Sequence, residues 1–164
     1  MTKYYIFRHG QTLNSKYRLP YPKDNRQIKI LKDSIPALKK MAEYLKNISP
    51  DLCVSSEYLR CQQTTKIITK ITGVKFKKEP RLNEFGGETF LEFTNRINNF
   101  LEEVKINKYR TIIICTHGAG IATIKNLLIK GRMRRRDLPF YPKPGILLCI
   151  EGKNIQRIDF NKNN

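Results

Sequence analysis

Only two histidines occur in this chain of 164 residues, and both sit in the same local setting. His9 follows the apolar run Tyr4–Phe7 and Arg8, and His117 follows the β-branched run Thr111–Cys115 and Thr116. Each is followed at once by a glycine, Gly10 or Gly118, which lets backbone approach a ligand closely. One histidine after a strand is commonly a hydrogen-bonded structural residue. The repetition of apolar run, His-Gly and helix pattern at both places points to chemistry instead. Arg8 beside His9, and Arg60 shortly after the run Leu52–Val54, would repel a dication, and two imidazoles are too few for a usual zinc site. Two arginines with two histidines instead describe a pocket for a phosphate dianion. Guanidinium forks bind phosphate oxygens bidentately, and helix N-termini add N–H donors. Neither a metal nor a cofactor is expected. Cysteine-based phosphatase chemistry does not fit, because the stretch from Cys53 to Arg60 is too long for a phosphate loop and Cys53 lies in a strand run.

Those groups need elements to bring them together. Strands are predicted at Tyr4–Phe7, Leu52–Val54, Val74–Phe76, Thr111–Cys115, Ile146–Ile150 and Ile155–Phe160, the last two as a hairpin turning at Glu151–Asn154. Helices are predicted at Ser34–Lys46 with Ser34 as cap, Tyr58–Ile71, Glu88–Lys105 and Ala119–Ile129, the last ended by Gly131. Alternating strands and helices imply an α/β fold: a three-layer α/β/α sandwich around a mostly parallel sheet. The length suits one domain spanning residues 1–164. In open α/β sheets ligands bind beyond the carboxyl ends of the strands. That rule gathers Arg8-His9-Gly10, the Ser55–Arg60 stretch, Arg81–Glu84 and Thr116-His117-Gly118 on one rim. The proline-rich stretches Leu19–Pro22 and Leu138–Gly145 are expected on the surface.

The chain carries 32 basic and 14 acidic residues, a formal charge of +18, which favours an anionic substrate or partner without selecting one. The tract Lys130–Asp137 concentrates that charge at a helix end, where the helix dipole favours cations. A nucleic-acid partner is the weaker alternative, because no RNA-binding motif is found. The four cysteines form no C-x-x-C pair, and three lie in apolar runs as small hydrophobes. No apolar run is long enough to cross a membrane, and a cytoplasmic protein is expected.

Three stretches resemble the histidine phosphatase superfamily, also called the phosphoglycerate mutase-like family. They are RHGQT (Arg8–Thr12), SSEYLRCQQT (Ser55–Thr64) and THGAGI (Thr116–Ile121); RLNEF (Arg81–Phe85) and GGETFLEFTNR (Gly86–Arg96) resemble two further family segments. The resemblance implies a phosphoglycerate mutase-like fold and a metal-free reaction in which His9 attacks phosphorus and becomes phosphohistidine. Glu84 would be the general acid, with Glu88 its rival unless Glu88 caps its own helix. His117, Arg8 and Arg60 would neutralise the phosphoryl oxygens. Asn14 and Gly118 would line the phosphate, although Asn14 comes one residue earlier than the family pattern; Gln11 and Thr12 would touch the phosphate or support the loop, with Gln11 equally a surface residue. The segment that family members usually insert between the acid and the Gly-Gly-Glu helix is missing here, which favours hydrolysis over phosphomutase chemistry. A small phosphorylated substrate or a phosphoprotein, including a phosphohistidine protein, is the partner implied.

Overall fold

The computed structural model of the protein describes residues 1–162. Six strands form one sheet: β1 Lys3–Arg8, β2 Leu52–Ser55, β3 Lys77–Lys78, β4 Thr111–Thr116, β5 Ile146–Glu151 and β6 Asn154–Asp159. Their order is β3-β2-β4-β1-β5-β6. The first three pairings, β3·β2, β2·β4 and β4·β1, are parallel; β5 and β6 add an antiparallel edge. Among the described residues four helices flank the sheet, α2 Ile35–Leu45, α3 Leu59–Thr72, α4 Phe90–Ile106 and α5 Gly118–Lys130, and a short helix, α1 Leu13–Tyr17, follows β1 and buries no residue.

The strands are apolar on both faces because both faces are covered. Tyr4 and Ile6 of β1, with Ile112 and Ile114 of β4, pack against Phe93, Ile97, Ile121 and Ile124 of α4 and α5. Tyr5, Phe7, Ile113 and Cys115 point the other way, against Met41, Leu45 and Ile68 of α2 and α3. This period-two division makes the three layers. Ile6 and Ile114 are fully buried opposite one another in the parallel register, and truncating either to alanine is expected to cost about 2–5 kcal/mol.

Several local expectations need correction. The strand expected at Val74–Phe76 forms instead at Lys77–Lys78, two lysines at the sheet edge, while Val74 and Phe76 pack into the α2/α3 layer. Ser34 ends a 3₁₀ turn, and its hydroxyl donates to the Leu31 carbonyl and does not cap α2. Glu88 does not cap α4: Thr89 does, in a capping box with Glu92, because its hydroxyl can accept from the Glu92 N–H. Glu88 pairs with Arg96. The short helix α1 was not foreseen. Gly73 and Gly131 end α3 and α5 at φ +76° and +67°, the left-handed conformation that glycine adopts without strain. Among the described residues no helix is long and apolar enough to cross a membrane.

Candidate active site

The carboxyl ends of β1, β2 and β4 are neighbours in the sheet, so the loops after them meet. The imidazole rings of His9 and His117 lie with centroids 5.2 Å apart, both fully buried. Arg60, on the first turn of α3, is fully buried beneath them, and Arg8 is nearly so. Glu84 enters from the 3₁₀ turn at Pro80–Leu82 and the loop after it, with Oε2 3.4 Å from both Arg60 Nη2 and His117 Nδ1.

Hydrogen bonds set the state of each ring. His9 Nδ1 lies 2.8 Å from the Gly10 carbonyl oxygen, which can only accept, so Nδ1 carries the proton and Nε2 keeps a lone pair. Burial first, then the charges of Arg8 and Arg60, hold the His9 imidazole well below the ordinary value of 6.5. His9 is therefore a neutral imidazole at neutral pH, the nucleophilic form. His117 Nε2 lies 2.8 Å from Ser56 Oγ. The Asn83 carbonyl oxygen accepts from the Ser56 hydroxyl at 2.9 Å and from the Glu57 N–H, while the Asn83 amide donates to the Glu57 carboxylate at 3.0 Å. Ser56 thus has its proton committed and must accept from His117 Nε2–H. Nδ1 of His117 is left facing Glu84. Burial, then His9 and the arginines, depresses this imidazole as well. A bound dianion would reverse the sign of those charge effects and draw a proton onto Nδ1.

Burial raises the Glu84 carboxyl above 4.5, although Arg60 and Arg8 pull it down. A carboxyl whose proton is held more firmly than usual is suited to donate to a leaving group. Arg60 donates to the backbone carbonyl and side-chain oxygen of Asn25 at 2.6 and 2.9 Å. Its guanidinium lies over the rings of Tyr21 and Tyr58, at 4.8 and 5.1 Å from their centroids. Arg8 lies under the Tyr141 ring at 4.9 Å. Four polar atoms of these residues are buried without a partner among the described residues: Arg8 Nε, His9 Nε2, Arg60 Nε and His117 Nδ1. Buried donors and acceptors are rarely left so, because each costs the desolvation of the group. An anion with several oxygens would pair with them together.

His9, Glu84 and His117 also offer donor atoms within 4.8 Å of one another, a set that could hold a cation. Arg60 shares the same carboxylate oxygen and Arg8 stands beside it, so the local charge opposes a dication and favours an anion.

The remaining candidates divide. Gly10 N–H donates to Thr64 Oγ1 on α3, and a side chain at Gly10 would strike Ser34, so the His9 loop is pinned to Arg60's helix. Gly118 lies under Tyr141, where a Cβ would come 2.5 Å from the ring. Thr12 is buried, caps α1, and bonds the Tyr21 hydroxyl at 2.8 Å; its hydroxyl is occupied in building the wall. Gln11 is held by its carbonyl, which accepts from Leu31 N–H. Asn14 is not brought to the imidazoles: its amide donates to the Pro20 carbonyl, and it lines a neighbouring hollow with Arg8 and Arg18. The two proline-rich loops lie on the surface as expected, and they also supply Tyr21 and Tyr141 to the site. Ser56 and Asn83, given no role from sequence, orient His117. Both fall in the stretches, Ser55–Arg60 and Arg81–Glu84, that the strand-end rule gathers on this rim.

Residues 4–86 match the Histidine phosphatase superfamily (branch 1). No curated protein sequence matches the chain. Among solved structures, the alpha-ribazole phosphatase from Shigella flexneri superposes with a TM-score of 0.77 at 17% identity, over 98% of this chain and 96% of that one. A mycobacterial glucosyl-3-phosphoglycerate phosphatase, solved in complex with VO3, gives 0.74 at 16% identity, covering 96% and 97%. The protein histidine phosphatase SixA, solved with tungstate, gives 0.73 at 12% identity, covering 98% of both chains. At these identities the likeness is one of fold, and the fold is the phosphoglycerate mutase-like α/β sandwich.

Proposed function

The chain belongs to the histidine phosphatase superfamily, and from that premise we propose that it hydrolyses phosphate monoesters through a phosphohistidine on His9, without a metal. The observation that carries this is the set of buried, unpartnered polar atoms on Arg8, His9, Arg60 and His117. They belong to four residues from three separate stretches of chain and converge where an oxyanion would satisfy them.

In the first half-reaction the His9 Nε2 lone pair attacks phosphorus and the P–O ester bond breaks. Glu84 gives its proton to the departing alkoxide. Arg8, Arg60 and His117 balance the charge on the equatorial oxygens, which is most of what phosphoryl transfer needs. In the second half-reaction Glu84, now a carboxylate, takes a proton from water as that water attacks phosphorus. The P–N bond breaks, its electron pair returns to Nε2, and inorganic phosphate leaves.

Hydrolysis is favoured over phosphomutase transfer because the hollow beside Arg8 and Glu84, which leads to the buried imidazoles, is open to solvent. Only Phe85–Thr89 separate Glu84 from α4, and no inserted segment covers the mouth. The test is a panel of phosphate esters assayed in the presence of a chelator, wild type beside His9→Ala. Phosphate release that survives chelation and vanishes in His9→Ala is expected. With a phosphoglycerate, isomerisation outrunning phosphate release would reverse the assignment, and activity lost on chelation would contradict a metal-free reaction.

A further inference from the structure

The anion cradle opens into a hollow of about 540 Å³ that starts at Arg8, Glu84 and Gly118. This is far more than a phosphate fills and lies within the roughly 300–1,000 Å³ of small-molecule pockets. The alcohol half of the substrate must occupy the rest.

Its walls are three aromatic rings, Tyr21, Phe85 and Tyr141, backed by Leu138 and two prolines. The rings are already held. Tyr21 is fixed by Thr12 and by Arg60, Tyr141 by Arg8, and Phe85 stacks on Phe93 with centroids 4.7 Å apart. Polar recognition is sparse by comparison. Asn25 lines the hollow, but both its oxygens accept from Arg60 and its amide donates to the Pro22 carbonyl. The Tyr21 hydroxyl is engaged with Thr12. Lys23 is the remaining charged side chain of the lining beside Arg8 and Glu84. A polyol would bring hydroxyls that find few partners here, and an unpaired polar group taken from water weakens binding.

We infer that the alcohol half of the substrate is aromatic: a small phosphate monoester whose ring lies among Tyr21, Phe85 and Tyr141. The inference rests on the monoester reading of the cradle. Offset or edge contacts with flat rings add to the area buried, and rings already in place lose little freedom on binding.

Calorimetry with three non-hydrolysable phosphonates tests it: 3-phenylpropyl phosphonate, hexyl phosphonate and the phosphonate isostere of glucose 6-phosphate. The phenylpropyl compound should bind about fivefold tighter than the hexyl one, the size of one ring–ring contact, and more than about tenfold tighter than the sugar. Phe85→Leu keeps an apolar side chain and should erase the advantage over hexyl, whereas Phe85→Tyr should keep it. Equal binding of phenylpropyl and hexyl, tightest binding of the sugar, or no binding of any of the three overturns the inference. The matching phosphate esters are assayed in parallel. The expected phosphonate ranking without turnover of any ester would contradict the hydrolase reading and leave the ring assignment standing. Turnover with a flat ranking would do the opposite.

Discussion

His117 Nε2 lies 2.8 Å from Ser56 Oγ, and that contact leaves the other ring nitrogen, Nδ1, facing Glu84. The Ser56 proton is already given to Asn83, which Glu57 fixes at both ends of its amide. Ser56→Ala should leave the fold intact, since the serine side chain is small. It should lower kcat roughly tenfold, from the loss of a hydrogen bond worth ~1.5 kcal/mol to a ring that becomes charged in the reaction. Asn83→Ala should give a similar but smaller loss. Unchanged kcat and an unchanged pH profile in both variants would remove Ser56 and Asn83 from the orienting role.

In the proposed reaction Glu84 protonates the leaving group, and its raised carboxyl supports that use. Glu84→Gln should lower turnover of alkyl phosphates by about a hundredfold or more, in the usual range for general acid catalysis. Activated aryl phosphates, whose phenolate leaves without help, should lose only a few-fold. Equal losses on both classes, measured by phosphate release, would show that Glu84 acts otherwise.

The two buried imidazoles make stability depend on pH. Both have folded-state values well below 6.5, so below that pH the unfolded chain binds protons that the folded chain refuses. Stability therefore falls as pH drops from 6.5 toward 5, by up to ~1.4 kcal/mol per pH unit for each ring. Glu84 works in the opposite direction, since its raised value favours the folded state as pH falls toward 4.5. Thermal melts should thus show a net loss of Tm on acidification from pH 6.5. Inorganic phosphate should reduce the loss, and Glu84→Gln should steepen it. A Tm flat over this window, with phosphate without effect, would contradict the buried neutral pair.

Gly118→Ala tests the close approach of backbone to the cradle. The added Cβ would come 2.5 Å from the Tyr141 ring, so that ring must move off Arg8. Affinity for phosphate or tungstate should fall about tenfold, while Tm changes by only a few degrees. Unaltered anion affinity would show that Tyr141 does not help to hold Arg8.

Much of this arrangement could be read from sequence because strands end abruptly. An aromatic and apolar run, Tyr4–Phe7, and a β-branched run, Thr111–Cys115, each lead into a His-Gly pair and place His9 and His117 at strand ends, and parallel neighbours then bring Arg60 and Glu84 to the same rim. What sequence did not yield depends on tertiary partners. Tyr21 and Tyr141 sit in proline-rich loops whose composition says surface, and only the arginines beneath them reveal what they cover. Asn14 belongs to a family pattern, but here it is the second residue of the short helix α1 and its amide donates to the Pro20 carbonyl. Phe76 is apolar like a strand residue, yet it packs on Phe7 edge-on at 6.4 Å and the ladder forms one step later. Ser56 and Asn83 have no periodicity at all; their role is visible only once the proton of each hydrogen bond is assigned.

The central claim is that His9 carries the phosphoryl group in transit. Rapid quenching of wild-type enzyme during turnover of a radiolabelled phosphate ester tests it most directly. One acid-labile, alkali-stable phosphate per chain, mapped to His9 and missing in His9→Ala, is the predicted result. Phosphate release that proceeds with no label on His9, or with the label on another residue, would contradict it.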